Sequence, residues 1–172
     1  MNINISKPSH LLTIFLCIFF NTLDVNAQFL NSSRGSSELI APNGHIISVS
    51  FAISNEEKTK GLSGLHPSKM KFNEGLFFVY NNMSSKTFWM PNTYFNLDII
   101  FLDLNMKVVG LEKNVQHFKG REPIKSIPVT PTYYSAHVLE LHAGEADKYK
   151  IELGSVLKWK KYPYFLSRPH SP

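Results

Sequence analysis

A chain of 172 residues, 43% hydrophobic and 18% charged, has room for one domain around one core and is too apolar for a disordered segment. Its single cysteine, Cys17, excludes a disulfide framework, and once residues 1–27 are removed no thiol remains for nucleophilic catalysis, zinc or an iron–sulfur cluster. The formal charge of +5 comes from scattered basic residues, only Lys158-Trp159-Lys160-Lys161 approaching a cluster, which argues for a solvated surface in weak contact at most with acidic cell-surface polymers.

Lys7, the apolar run Leu11 to Phe20 (LLTIFLCIFF) and the small-residue pattern Val25-Asn26-Ala27 read as a signal peptide over residues 1–27. The apolar run is half the roughly 20 residues that a spanning helix needs. The protein is therefore expected to be exported, periplasmic or extracellular, with no transmembrane span after cleavage. Residues 28–38, including NSSRGSS, form an expected flexible leader, and a single globular domain is expected over 39–160.

His45 to Ile53 (HIISVSFAI) alternates as a strand, with Ile47, Val49 and Phe51 on one face. Ser54-Asn55-Glu56-Glu57 fits a capping box, in which the serine hydroxyl and the Glu57 carboxylate satisfy exposed backbone N–H groups at a helix start. A short helix is predicted to about Lys60, stopped by Gly61. Gly61 to Pro67 (GLSGLHP) is a loop with two glycines that allow positive backbone angles.

From Gly75 the pattern turns to β. Leu76 to Tyr80 (LFFVY) reads as a buried strand, Asn81-Asn82 as a turn, and Lys86 to Met90 (KTFWM) as its hairpin partner. Leu97 to Asp103 and Lys107 to Leu111 are two further strands, and Pro123 to Pro131 is a proline-punctuated loop. His137 to Leu141 (HVLEL) reads as a strand, Ala143 to Tyr149 as a helical turn or two, and Ser155 to Trp159 (SVLKW) as a last strand. The tail beyond, 161–172, is expected to be extended or disordered. Short strands at close spacing with two short helices indicate an α+β fold, mainly antiparallel β, as a curled sheet or partial barrel.

The order of GLSG (Gly61 to Gly64), EGLFFVY (Glu74 to Tyr80), FWMPNTYFNLDIIFLD (Phe88 to Asp103) and HVLELHAGEAD (His137 to Asp147) resembles the family called domain of unknown function 192, over about Ile46 to Trp159. The resemblance implies a small, mostly β fold, exported or periplasmic, with no established activity. Members commonly carry Lys at the position of Pro91, Pro at that of Asn96 and Arg at that of Leu65. Two cationic side chains are thus missing here, so an anion held through them elsewhere in the family would be held weakly or not at all by this chain.

Within FWMPNTYFNLDIIFLD, Pro91 ends a strand, and Asn92 and Thr93 suit a turn that bonds its own backbone. Asp98 alternates with Ile100 and Leu102 in a strand apolar on both faces, so its carboxylate must find donors. Two readings stand: it staples the PNT turn through that turn's N–H groups, or it points into a pocket beside Trp89 and Asn92. Glu140 aligns with Val138 and His142, a spacing compatible with acid–base pairing or with two metal ligands. Two ligands do not complete a zinc site, and no metal or other cofactor is expected. No G-x-S-x-G elbow occurs, and Ser63 lies after a helix rather than on a strand-to-helix turn. Nucleic acid has no motif to bind here.

The expected function is a noncatalytic exported binding module for a small polar ligand, a glycan or a protein partner, with a site around Trp89, Asn92, Thr93, Asp98 and Glu140. The alternative is a small hydrolase or lyase with Asp98 and Glu140 as acid and base.

Overall fold

The computed structural model describes residues 36–118, 120, 123–163 and 165–166. The expected signal peptide, the leader up to residue 35 and the tail from 167 lie outside them. The chain forms β1 (Ser37–Ile40), β2 (Ile46–Ala52), α1 (Asn55–Lys60), β3 (Glu74–Phe78), β4 (Ser84–Lys86), β5 (Leu97–Leu102), β6 (Val108–Val115), β7 (Tyr133–Ser135), β8 (His137–His142), α2 (Glu145–Lys148) and β9 (Lys158–Lys161). Single 3-10 turns interrupt the loops at Pro67–Lys69 and Ile124–Ser126. No helix among the described residues is long and apolar enough to cross a membrane.

Seven strands make one sheet in the order β6-β5-β8-β3-β2-β1-β9, and β4 and β7 form a separate two-stranded ribbon. Among the described residues only β2 and β3 run parallel, joined through α1, and the other strand pairs are antiparallel. The fold is therefore α+β, mainly antiparallel, with two short helices. The sheet is not closed into a barrel, although the chain ahead of β9 leans on the start of β6 through Val108 N–H to Ser155 C=O at 2.8 Å and Leu157 N–H to Met106 C=O at 3.1 Å.

Strand alternation sorts the apolar side chains into two cores, one on each face. Ile47, Val49, Phe77, Ile100, Leu139 and Leu141 pack with Tyr149 and Leu157 on one side. Leu76, Phe78, Leu97, Ile99, Phe101 and Val138 pack on the other with Leu62, Leu65, Met70 and Met90, which belong to the loops that cover that face. Every residue of β5 is buried, as expected for a strand apolar on both sides.

Several local expectations change. KTFWM does not pair with LFFVY, because β2 and β8 occupy both edges of β3. Instead β4 pairs with β7, and Trp89 makes a lone antiparallel bridge to Val129. Asparagines at a turn do not specify which neighbour the next strand will bond. The ordered domain starts before residue 39, since Ser37 and Glu38 already pair with β2, and it runs beyond 160. The last strand is displaced toward Lys161, where it pairs with β1, and Phe165 stacks edge-on to Phe51 at 4.8 Å.

Candidate functional site

A cleft of about 530 Å³, open solvent at its mouth included, lies on the face covered by loops. One wall is α1 with the turn that follows it, from Lys58 to Ser63; the other is the segment from Thr87 to Thr93. The first wall is fixed by the capping box: Ser54 Oγ accepts from Glu57 N–H at 3.1 Å, and Glu57 Oε2 accepts from Ser54 N–H at 2.7 Å. Gly61, at φ 48°, then ends the helix, and Gly64, at φ 77°, turns the chain so that its N–H reaches the Asn92 carbonyl at 2.9 Å. That bond ties the two walls together.

The second wall runs beside residues 128–130, with Met90 N–H donating to Pro128 C=O at 3.1 Å and Thr130 N–H to Phe88 C=O at 2.8 Å. Alternation buries Met90 in the outer core, the one on the loop-covered face, and leaves Trp89 54% exposed at the mouth. Thr93 is buried beneath, its hydroxyl donating weakly to Pro91 C=O at 3.4 Å.

Glu140 stands on the cleft floor. It sits in β8 between Leu76 of β3 and Ile99 of β5, and it is only 5% exposed. Its Oε2 has no hydrogen-bond partner among the described residues. Burial alone pushes this carboxyl up to about 8, so it is neutral through the physiological range. A neutral carboxylic acid offers one donor and one acceptor to whatever enters.

A cationic cluster borders the same floor. Lys58 Nζ lies 4.3 Å and Lys86 Nζ 4.4 Å from the centre of the Tyr80 ring, a cation–π arrangement. Tyr80 is raised by burial and then by Glu140. Lys58 is lowered by desolvation, and Lys86 by desolvation and then by Lys58. Lys86 is buried and its ammonium donates to Ser135 C=O at 2.6 Å and to Ser84 Oγ at 2.8 Å, whereas Lys58 and Lys60 line the cleft itself.

Of the residues singled out in the sequence, Trp89, Thr93 and Glu140 come together in the cleft. Asn92 does not line it; its side chain is exposed and its carbonyl serves as the tie to Gly64. Asp98 does not line it either. It is fully buried on the opposite face, where Oδ1 accepts from Asn114 N–H at 2.9 Å and Oδ2 from Ala146 N–H at 2.8 Å. Asp98 thus ties the end of β6 to α2, and neither the expected tie to the PNT turn nor a place in a pocket beside Trp89 and Asn92 is found, because its donors come from Asn114 and Ala146.

His142 shares the face of Glu140 but is spent on packing: Nε2 donates to Met70 C=O at 2.8 Å and the ring stacks on Phe95 at 4.6 Å. No three His, Asp or Glu side chains converge as a metal site among the described residues. Of the positions where the family resemblance expects a cation, Pro91 lines the cleft and Leu65 is buried in the outer core. Lys58, Lys60 and Tyr80 had no sequence signal as site residues, because only the tertiary fold carries α1 and the end of β3 to Glu140.

The sequence model of domain of unknown function 192, described as an uncharacterized ACR, matches residues 38–159. No curated protein matches the chain. Two solved structures share the fold. One, described as a candidate transcription regulator from Sinorhizobium meliloti 1021, is 24% identical with a TM-score of 0.58, over 72% of this chain and 92% of the other. The second, a protein of unknown function from Novosphingobium aromaticivorans DSM 12444, is 27% identical with a TM-score of 0.57, over 72% of this chain and 84% of the other. The first likeness extends to the fold alone.

Proposed function

The chain belongs to the family of domain of unknown function 192, and we propose that this member is a noncatalytic binding module whose cleft between α1 and residues 87–93 takes a small polar ligand. The observation that carries the reading is Glu140: a carboxyl 5% exposed, on the floor of a cleft, with Oε2 unpartnered. Buried polar groups are nearly always hydrogen-bonded, so an orphan just beneath a cleft marks a place where a polar partner can be supplied from outside. Export, expected from residues 1–27, is part of the same proposal.

Acid–base catalysis by Asp98 with Glu140 has no such support, since the two carboxyls lie on opposite faces of the sheet. The test is thermal unfolding against sugars, cell-wall fragments, nucleotides, anions and amines, beside Glu140→Gln. A ligand at about 100 times its Kd should stabilise the wild type by roughly 2.7 kcal/mol. The reading requires that this stabilisation shrink in the variant. A ligand that stabilises both proteins equally binds elsewhere and sinks it.

A further inference from the structure

Resting on that reading, we propose that the ligand is an anionic sugar: a pyranose whose face lies on Trp89, whose anionic substituent meets the Lys58 ammonium, and one of whose hydroxyls bonds the Glu140 carboxyl. Three features of the cleft converge on this class.

Charge comes first. Lys58 and Lys60 line the cleft and Lys86 lies against the Tyr80 ring, while Glu140 is the only acidic residue in the lining among the described residues. Because burial keeps Glu140 protonated below about pH 8, the cavity presents net positive charge. An ammonium ligand would enter against Lys58 and find no carboxylate waiting; an anion is drawn in.

The aromatic wall comes second. Trp89 is 54% exposed and stacks on no other ring among the described residues. A single indole platform suits the C–H face of a saturated ring, which leaves the ring's hydroxyls free at its edge. A flat aromatic acid would cover the indole equally well but would bring no hydroxyl to the floor.

Polar complement and size come third. A neutral carboxyl can give and take a hydrogen bond with one hydroxyl, and Ser63 and Thr87 add hydroxyls on the two walls. The cleft opens to solvent, so a single ring need not be enclosed whole and its outer edge stays in water.

The experiment follows the indole N–H resonances of the protein, which has two tryptophans, with the Trp89 signal assigned by its loss in Trp89→Ala. The probes are glucuronate, galacturonate, glucose, glucosamine and benzoate, with an oligogalacturonide to separate a free sugar from a chain end. The expected result is a saturable shift of the Trp89 signal by at least one uronate or the oligomer, at an affinity at least ten-fold above glucose and above both glucosamine and benzoate. Lys58→Gln should remove the advantage over glucose and leave the weak neutral binding in place.

Glucose, glucosamine or benzoate binding as tightly as the uronates overturns the inference, as does a Trp89 signal that no sugar moves. If a compound of another class still stabilises the protein in a Glu140-dependent way, the cleft reading survives that loss. If a uronate binds but neither Glu140→Gln nor Trp89→Ala weakens it, the cleft reading is what falls.

Discussion

Asp98 and Glu140 stand on adjacent strands, one residue out of step, and face opposite sides of the sheet: Asp98 is opposite Leu141 and Glu140 opposite Ile99. Each oxygen of the first carboxyl has a backbone donor, whereas Oε2 of the second has no partner among the described residues. Two acids in equally apolar strands are therefore placed differently, one tying the fold together and the other buried at the floor of a cleft.

Asp98→Asn should destabilise the protein without touching the cleft. An amide can accept from only one of Asn114 N–H and Ala146 N–H, and it turns its own NH₂ toward the other. A buried N–H left without an acceptor costs about 1–3 kcal/mol beyond the bond that is lost, so a loss of roughly 2–5 kcal/mol is expected in urea unfolding. Ligand affinity, measured on the folded variant, should not change.

Glu140→Leu should do the reverse, raising stability at pH 8 and abolishing binding. The sign follows from the protonation of Glu140, raised in the folded state from 4.5 to about 8. Stability is fully present below pH 4.5 and is lost as pH rises toward 8, because only the unfolded chain gains by ionising. The other titratable groups around it are Tyr80, Lys58, Lys60 and, beyond the ring, Lys86, with His142 two residues along its own strand. Unfolding midpoints from pH 4 to 9 should show an alkaline decline in the wild type that Glu140→Leu flattens, with a gain of about 2–4 kcal/mol at pH 8. An unflattened decline would show that Glu140 is not the group responsible.

An acid decline should come from His137. Burial first, and then Lys86, push this imidazole down to about 4, and its Nδ1 accepts from Tyr80 N–H at 3.4 Å, which requires the neutral ring. Asp103 and Lys58 also act on it, in opposite directions. Its contribution is present above pH 6.5 and is lost as pH falls through 4. His137→Gln should remove that limb and leave the alkaline one, so stability profiles of the two variants should differ on opposite sides of the wild-type maximum.

Gly110→Ala tests how closely β7 is laid against the main sheet. A Cβ at Gly110 would stand 2.2 Å from the Tyr133 ring, whose hydroxyl donates to Glu112. The ring must move and the bond to Glu112 must stretch or break. The expected cost is about 1–3 kcal/mol in denaturant unfolding, with the near-ultraviolet tyrosine signal altered. An alanine variant as stable as wild type, with that signal unchanged, would show that the ring does not rest on this glycine.

The sequence disclosed this fold where signals are local and failed where pairing is long-range. The capping box at Ser54 and Glu57, the stop at Gly61 and the doubly buried LDIIF could be read from spacing alone, because each depends on neighbours within a turn or on alternation. The partner of Lys86 could not, since Tyr133 lies far along the chain and offers only three residues, YYS, as a strand. The same division runs through the site. Glu140 stood out as an acid in HVLEL and Trp89 as an aromatic near a strand end, but nothing local assigns Asp98 to the opposite face from Glu140 or brings Lys58 over Tyr80. Strand parity alone could not separate the two acids, because it needs the register between β5 and β8.

The pairing of β1 with β9 sets the order in which the molecule can be completed. Leu39 bonds across to Trp159, and the stretch just ahead of β9 seals against the start of β6. A chain emerging from the ribosome therefore holds β1 beside β2 with an unfilled edge, and the core on the Leu157 side uncovered, until residues 155–161 arrive. Such long-range closure slows folding and prolongs exposure of apolar surface. Truncation before Trp159 should thus yield a sticky, unfinished sheet rather than a smaller working domain.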